Sequence, residues 1–258
     1  MRPGEEREQG QDTGRRTAVV TGASDGIGAA CAQALLEAGW NVALLARRPD
    51  ALEAVAAGHP AALPLVCDVG EAAQVERAFA AVVARFGRVD LLFNNAGIFT
   101  PAGLIDEIDL DDWTRSLAVN VTGMFLCARA AFGQMRRQQP RGGRILMNGS
   151  VAAQSPRPGA ICYTATKHAV TGLTKQLSLD GRDLDIAVGQ IDIGNARTAL
   201  LQDHVDRVAA LDPDAPVTPM IDVDTVARTV VHLAELPLEA NPQWLTLMAT
   251  RMPLIGRG

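Results

Sequence analysis

The segment TGASDGIG at residues 21–28 constrains the fold of this chain more than any other stretch. An apolar run, Thr17–Val20, leads directly into it, and a helical pattern follows from Ala29 to Glu37. Glycines there allow a tight turn and a close approach of the backbone to a pyrophosphate, while the start of a helix offers free N–H groups. The order strand, glycine-rich turn, helix predicts a nucleotide-binding unit. An ordinary turn between a strand and a helix is the alternative.

The rest of the chain alternates between short apolar runs and helical patterns. Six further strands are predicted, at residues 39–46, 63–69, 89–93, 144–148, 184–191 and 243–249. This alternation is typical of an α/β fold, a doubly wound parallel sheet of about seven strands with helices on both faces. The 258 residues fit a single domain at 15–258, after a disordered polar tail at 1–14. The irregular segment around 195–220 is predicted to be a lid over a substrate.

Composition narrows the function classes. The net charge is −5 and no basic block has the density of a nucleic-acid-binding face, so a nucleic-acid partner is not expected. No apolar run approaches the length needed to span a membrane, so no membrane partner is expected either. The four cysteines lack CxxC spacing and favour a reducing, cytoplasmic setting. The four histidines show no ligand spacing, and no metal is expected.

Tyr163 and Lys167 form the strongest candidate for chemistry outside the glycine-rich segment. A helical pattern covers residues 160–174, and positions four apart lie on one face of a helix. An ammonium group beside a phenol favours the phenolate, so we expect the pKa of Tyr163 to be lowered towards neutrality. Such a phenol is a usable general acid or base. Taken alone, the pair is more typical of a solvated helix face.

The end of the second predicted strand bears on the choice between NAD and NADP. Selection of NAD usually needs an acidic residue there to bind the ribose 2′-hydroxyl, whereas a 2′-phosphate suits a guanidinium. This chain has Ala46 followed by Arg47 and Arg48, which favours NADP. Two observations argue the other way: the arginines are also compatible with ordinary surface charges, and Asp25 in the glycine-rich segment mildly favours NAD.

Six motifs stand in a familiar order along residues 15–250. They are TGASDGIG at 21–28, CDV at 67–69, NNAG at 94–97, VNVTG at 119–123, NGSVAA at 148–153 and YTATK at 163–167. In this order and spacing the chain resembles the short-chain dehydrogenase/reductase family. The resemblance implies a Rossmann-like fold and an oxidoreductase that transfers a hydride between NADP(H), or less favourably NAD(H), and a carbonyl or secondary alcohol.

The resemblance also implies catalytic roles. Tyr163 would act as the general acid and base at the substrate oxygen, and Ser150 would hydrogen-bond the same oxygen. Lys167 would hold the nicotinamide ribose, and Asn120 would anchor a water chain leading to Lys167.

The resemblance implies a substrate class and an assembly as well. The substrate would be a small carbonyl compound or alcohol, with 3-oxoacyl thioester reductases as one subclass. A non-catalytic NAD(P)-binding sensor or scaffold of the same fold is the alternative function. Relatives pair through their long helices, which implies a homo-oligomer, a dimer or a homotetramer.

The cofactor would contact residues from several motifs. Asp68 would accept a hydrogen bond from the adenine amino group with Val69 packed nearby, and 94–97 would line the adenosine side and support the sheet. The candidate cofactor-binding residues are Gly22, Ser24, Asp25, Gly26, Ile27, Gly28, Arg47, Arg48, Asp68, Val69, Asn94, Ala96, Gly97, Tyr163, Lys167, Ile193, Gly194 and Thr198.

One segment departs from the family pattern. After the sixth strand the family usually has Pro-Gly and then a Thr four residues beyond the Gly, and this chain keeps Gly194 and Thr198 but has Ile193 in place of the proline. Asp192 also puts a carboxylate where small apolar residues are common. We expect Asp192 to bond Arg197 or the backbone of the lid.

Overall fold

The computed structural model describes residues 14–199, 201–202 and 218–255. The predicted tail, except for Gly14, and most of the predicted lid lie outside these residues. The seven strands are β1 (Thr17–Thr21), β2 (Asn41–Ala46), β3 (Ala62–Val66), β4 (Leu91–Asn94), β5 (Gly143–Asn148), β6 (Ile186–Ile193) and β7 (Trp244–Leu247). The longer helices are α1 (Gly26–Glu37), α2 (Pro49–Ala56), α3 (Ala72–Phe86), α4 (Leu110–Leu117), α5 (Met124–Arg137), α6 (Ile161–Gly181) and α7 (Val223–Glu235).

All seven strands are parallel and form one sheet in the order β3-β2-β1-β4-β5-β6-β7. This confirms the predicted doubly wound α/β fold. Side chains alternate across the sheet, as a pleated strand requires. In β1, Ala18 and Val20 join the core beneath α1 and α7, whereas Val19 joins the core beneath α3 and α5. Strands covered on both faces need apolar residues at consecutive positions, which explains the unbroken apolar run in β1.

The strand order reverses between β1 and β4. From β1 the chain moves outward through β2 to β3, and then returns to the other side of β1 to form β4. Helices therefore leave β1 and β4 on opposite faces of the sheet, and a crevice opens at the carboxyl ends of these two strands. The turn after β1 and the segment after β4 meet there, since a Cβ on Gly22 would lie 3.0 Å from Cα of Ala96.

A π-helical stretch, Ala118–Gly123, separates α4 from α5. The wider stretch interrupts an otherwise regular helical run through this region. A Cβ on Gly123 would lie 2.7 Å from Cγ2 of Val69, so the helix approaches the end of the third strand closely at a glycine. Short π-helical stretches often occur at functional sites, and this one contains Asn120.

The helical run Leu110–Arg137 has the length and composition of a membrane span, with a mean hydropathy of 1.3 in its most apolar window. The expectation that no apolar run reaches this length was therefore wrong. Apart from Arg129, the charged residues of the run lie near its ends, so a window of 18 residues between them averages out as apolar. Core helices of soluble proteins pass the same test, and α5 packs against α3 and the central strands. The run alone is weak evidence for a membrane.

Candidate active site

The glycine-rich turn forms a narrow cradle at the carboxyl end of β1. Gly22 and Gly26 have φ angles of +66° and +50°, which L-residues with a side chain rarely adopt. A Cβ on Gly28 would lie 2.1 Å from the carbonyl oxygen of Gly22. Asp25 caps α1 by accepting a hydrogen bond from the N–H of Gly26 at 2.6 Å. Because the three glycines bring no side chain of their own into the cradle, its backbone fits the diphosphate of a dinucleotide at the start of a helix.

Arg48 lies against this cradle. Its guanidinium donates to Oγ of Ser24 at 3.2 Å and pairs with Oδ2 of Asp25 at 3.3 Å. Arg47 is also exposed but makes no hydrogen bond or ion pair with any described residue. Of the two candidate phosphate ligands, Arg48 is therefore the one that the structure holds beside the glycine-rich turn. Asp25 serves as its partner and as the cap of α1.

The far wall of the crevice comes from the segments after β3 and β4. Oδ1 of Asp68 accepts a hydrogen bond from the N–H of Gly70 at 2.9 Å, which fixes the turn that carries Val69. Asn94 is 1% exposed, and its amide donates to the carbonyl oxygen of Met124 at 2.7 Å. These contacts fit the predicted support of the sheet by Asn94. Ala96 is buried near Gly22.

Asn120 is fully buried and holds two neighbouring segments together. Its Oδ1 accepts from the N–H of Ile98 at 2.8 Å, and its Nδ2 donates to the carbonyl oxygen of Ile98 at 2.9 Å. Nδ2 also lies 3.3 Å from Oγ1 of Thr166, directly before Lys167 on α6. The side chain therefore ties α6 to the segment after β4, and Gly97 lies beside it.

Tyr163 and Ser150 meet at the mouth of the crevice. Ser150 precedes a short 3₁₀ turn, and its Oγ accepts a hydrogen bond from the N–H of Ala152 at 3.1 Å. The Tyr163 ring stacks on Phe99 with the ring centres 4.3 Å apart. Burial raises the pKa of Tyr163, while a hydrogen bond with the Ser150 side chain and the nearby Arg157 guanidinium act in the opposite direction. The expectation of a lowered pKa was therefore wrong, because burial outweighs the groups that favour the phenolate.

Lys167 is buried, with its Nζ 5.4 Å from the centre of the Tyr163 ring. The ammonium donates a hydrogen bond to the carbonyl oxygen of Asn148, at 2.7 Å. Burial lowers the pKa of Lys167 to about 8, and the Asp192 carboxylate opposes this shift. Sequence reasoning missed Asn148, because its contribution is a backbone carbonyl and any residue type supplies one.

Asp192 was placed wrongly by the sequence analysis. Arg197 donates instead to Oε1 of Gln202 at 2.8 Å. The Asp192 carboxylate lies beneath Ser150 and accepts a hydrogen bond from the Ser150 N–H at 2.9 Å. It is 2% exposed, at the end of β6, where the strand direction aims it inward. No sequence signal separates a carboxylate that faces this turn from one that faces the lid.

The segment after β6 returns to the glycine-rich turn. Ile193 is buried, and the N–H of Gly194 bonds the carbonyl oxygen of Leu247 at 2.8 Å. Cγ2 of Thr198 lies 3.0 Å from where a Cβ on Gly26 would stand. Ile193, Gly194 and Thr198 therefore line one side of the crevice. Ile27, another candidate cofactor-binding residue, packs against the core under α1. Within the described residues, no group of three or more His, Cys, Asp or Glu side chains is arranged to hold a metal.

Comparison with known proteins then decides the family. The short chain dehydrogenase family model matches residues 16–209. The chain belongs to the short-chain dehydrogenase/reductase family. Members are NAD(P)-dependent oxidoreductases that act on alcohols and carbonyl compounds, and this chain is one of them.

Individual family members resemble this chain over most of its length but differ in substrate. D-threitol dehydrogenase of Mycolicibacterium smegmatis is 34% identical over 227 residues, which are 85% of this chain and 85% of the relative. The crystal structure of 3-ketoacyl-(acyl-carrier-protein) reductase from Brucella melitensis with NADH superposes with a TM-score of 0.80 at 27% identity, covering 90% of this chain and 96% of that one. The crystal structure of an actinorhodin polyketide ketoreductase variant with NADPH superposes with a TM-score of 0.81 at 27% sequence identity. The match covers 92% of this chain and 97% of that one. These relatives therefore share the family and the fold with this chain, and they differ among themselves in substrate and in the bound cofactor.

Proposed function

We propose that this chain is an NADP-preferring carbonyl reductase or alcohol dehydrogenase in which Tyr163 is the general acid and base. The observation that carries the proposal is that Tyr163, Ser150 and Lys167 meet at the carboxyl end of the sheet, beside an open glycine cradle. When bound, the nicotinamide supplies or accepts the hydride.

The proton chemistry falls to Tyr163 and Ser150. During carbonyl reduction, negative charge develops on the carbonyl oxygen and needs both a proton and a second hydrogen bond. Tyr163 donates its phenolic proton to that oxygen. The Ser150 oxygen accepts from the N–H of Ala152, and the Ser150 O–H, which bonds Tyr163 in the free protein, is proposed to donate to the substrate oxygen instead. Because burial raises the pKa of Tyr163, the phenol is protonated at neutral pH, which favours reduction there. Alcohol oxidation needs the phenolate and is favoured in alkali.

Lys167 and Asn120 support this pair. The carbonyl oxygen of Asn148 holds the ammonium of Lys167, which is proposed to bind the hydroxyl groups of the nicotinamide ribose. Asn120 fixes α6 beside Lys167 through Thr166 and is proposed to anchor the water chain that returns a proton to Lys167. The segment 195–220 is proposed to close over the substrate.

Arg48 supports the preference for NADP. A guanidinium beside Ser24 at the edge of the cradle offers planar, charge-assisted hydrogen bonds to a 2′-phosphate, and β2 ends in Ala46 followed by two arginines instead of an acidic residue. The test is a side-by-side fluorescence titration of the purified protein with NADPH and NADH. Tight binding of NADPH with weak binding of NADH supports the proposal, and the reverse preference contradicts it.

A 3-oxoacyl thioester is the first substrate class to test, because the Brucella melitensis structure belongs to a reductase of that class at 27% identity. We would compare a 3-oxoacyl thioester with simple ketones, hydroxy ketones and polyols under initial-rate conditions. Turnover of any of the carbonyl compounds with NADPH, or of a polyol with NADP⁺, supports the oxidoreductase proposal. Cofactor binding without turnover of any of them would favour the non-catalytic sensor.

The proposal includes association of identical chains, as a dimer or a homotetramer, in a reducing cytoplasmic setting. Phe125 on α5 and Leu179 on α6 are exposed apolar side chains on the two helices through which pairing is expected. The four cysteines are free and buried, which suits a reducing setting. Light scattering tests the association, and a monomer at micromolar concentration contradicts it.

A further inference from the structure

Asp192 is a buried carboxylate that receives three N–H donors within the candidate active site. Its Oδ1 accepts from the N–H of Ser150 at 2.9 Å and from Nε2 of Gln190 at 2.7 Å. Its Oδ2 accepts from Nε2 of Gln154 at 2.9 Å. No arginine or lysine of the described residues lies within ion-pair distance. Burial of a charge without an ion pair is costly, so three hydrogen bonds to one carboxylate indicate a specific arrangement.

The backbone leaves room for this carboxylate at one glycine. A Cβ on Gly149 would lie 2.1 Å from Oδ1 of Asp192 and 2.6 Å from Nε2 of Gln190. The N–H of Gly149 also bonds the carbonyl oxygen of Ile191 at 2.9 Å, which holds the ends of β5 and β6 together. The carboxylate can therefore lie directly against the peptide that enters Ser150.

Beneath the carboxylate, Gln190 links it to the helix that carries Tyr163. Oε1 of Gln190 accepts from Oγ1 of Thr174 at 3.0 Å, and its Nε2 donates to Oγ1 of Thr171 at 3.1 Å. Both threonines lie on α6. The positions of Ser150 and of α6 are thus set through one buried network.

Towards solvent, the carboxylate determines which atom Gln154 presents. A carboxylate only accepts hydrogen bonds, so the amide NH₂ of Gln154 must face Asp192 and the amide oxygen points away. Gln154 is exposed and lines a cavity of about 810 Å³ together with Ser155, Met248 and Met252. The cavity lies between the loop after Ser150 and the segment after β7.

We propose that Asp192 is a positioning residue that fixes the peptide of Ser150 and orients Gln154 so that its amide oxygen accepts a hydrogen bond from the substrate. This rests on the proposed oxidoreductase function. The amide oxygen of Gln154 would then favour carbonyl substrates that carry a hydroxyl or N–H donor near the reacting carbon. A substrate without such a donor leaves the Gln154 oxygen unpaired in the complex, which lowers its affinity.

The negative charge of Asp192 also affects the pKa of Tyr163, which gives a second, independent way to test where Asp192 lies. The charged groups around the reacting phenol are Arg157, Lys167 and Asp192 itself. The carboxylate raises the pKa of Tyr163 and of Lys167. Replacement of Asp192 by a neutral group should therefore lower the pKa of Tyr163.

The first experiment measures this without any substrate. Tyr163 is the only tyrosine of the chain, so an ultraviolet difference titration of phenolate formation reports on it alone. Asp192→Asn should titrate at lower pH than the wild type. Asp90→Asn is the matched control, because Asp90 also bonds a backbone N–H, that of Thr17 at 2.8 Å, but at the opposite end of the sheet. It should leave the midpoint unchanged. Equal midpoints for Asp192→Asn and the wild type would overturn the proposal.

The second experiment compares a hydroxy ketone with the same ketone lacking the hydroxyl, with NADPH as reductant. Removal of one uncharged hydrogen bond in Gln154→Leu should reduce the preference for the hydroxy ketone about fivefold, mainly through KM. Asp192→Asn should reduce it similarly, because an amide at 192 lets Gln154 turn its NH₂ outward. An unchanged preference in Gln154→Leu, whose exposed side chain does not threaten folding, would overturn the substrate claim. If the wild type reduces no carbonyl compound, the proposed function fails, while the titration still decides the placement of Asp192.

Discussion

The ammonium of Lys167 donates a hydrogen bond to the backbone carbonyl oxygen of Asn148 at 2.7 Å. This contact anchors the lysine at the end of β5, two residues before Ser150. The ammonium is buried, and burial disfavours its charged form. The pKa of Lys167 is therefore lowered from 10.5 to about 8.

The lowered pKa of Lys167 predicts that dinucleotide binding depends on pH. As pH rises through about 8, the free protein loses the ammonium that is expected to bind the ribose. Affinity for NADPH should therefore be constant below this value and fall above it. Fluorescence titrations between neutral and alkaline pH measure the effect. Lys167→Met should bind more weakly and without this step, and the same step in that variant would contradict the assignment.

The lowered pKa of Lys167 also makes the free energy of unfolding depend on pH. Between pH 8 and 10.5 the unfolded chain holds a proton on Lys167 that the folded chain has released. The contribution of this group to the free energy of unfolding therefore rises with pH in that window and is flat below it. Denaturant titrations of the wild type and Lys167→Met should show this rise in the wild type only, once the shared dependence of the two proteins is subtracted.

Arg48 is predicted to be the main phosphate ligand for NADP. Removal of a charge-assisted hydrogen bond costs about 1.5–3 kcal/mol, so Arg48→Ala should weaken NADPH binding by about tenfold or more. NADH binding should change little, because NADH lacks the 2′-phosphate. Arg85→Ala on α3 is the control for removal of an exposed arginine. Equal losses for NADPH and NADH in Arg48→Ala would count against a phosphate contact.

Gly28 is predicted to be essential to the cradle. Gly28→Ala puts a Cβ 2.1 Å from the carbonyl oxygen of Gly22, so the turn must shift. We expect a loss of about 1–3 kcal/mol in stability, as for overpacked sites, together with loss of dinucleotide binding. Calorimetry and cofactor titration measure the two effects.

Gly172 supplies the control for this substitution. It lies in α6, and a Cβ there would meet nothing within 4 Å. Gly172→Ala should be neutral or stabilising by up to about 1 kcal/mol, because alanine favours a helix. Normal dinucleotide binding by Gly28→Ala would contradict the role of the cradle.

The sequence predicted the fold because the fold depends on local patterns, and it proposed candidate site residues that the structure brings close together. The glycine-rich turn is recognisable since glycine adopts positive φ angles such as those of Gly22 and Gly26 far more readily than other residues. The pair Tyr163 and Lys167 follows from helix periodicity and from the spacing to Ser150. The alternating strands predicted a parallel sheet, and the sheet has the expected seven strands.

Features that arise from long-range packing were beyond the sequence. The partners of Asp192 depend on how closely β5 and β6 approach at Gly149, and the raised pKa of Tyr163 depends on the burial of its hydroxyl group in the folded chain. The π-helical stretch around Asn120 has the same apolar pattern as a regular helix, so periodicity predicted only a helix. The segment 195–220 lies mostly outside the described residues, and the lid stays a prediction.

Tyr163→Phe tests the central claim most directly. The variant removes one hydroxyl group and keeps the ring that stacks on Phe99, so folding and the glycine cradle should be preserved. We would measure NADPH affinity and the single-turnover rate of carbonyl reduction in the wild type and the variant. The account predicts an affinity within about twofold of the wild type and a rate lower by at least the 10²–10⁴-fold typical of a lost general acid. Undiminished turnover in Tyr163→Phe would contradict the assignment of Tyr163 as the proton donor.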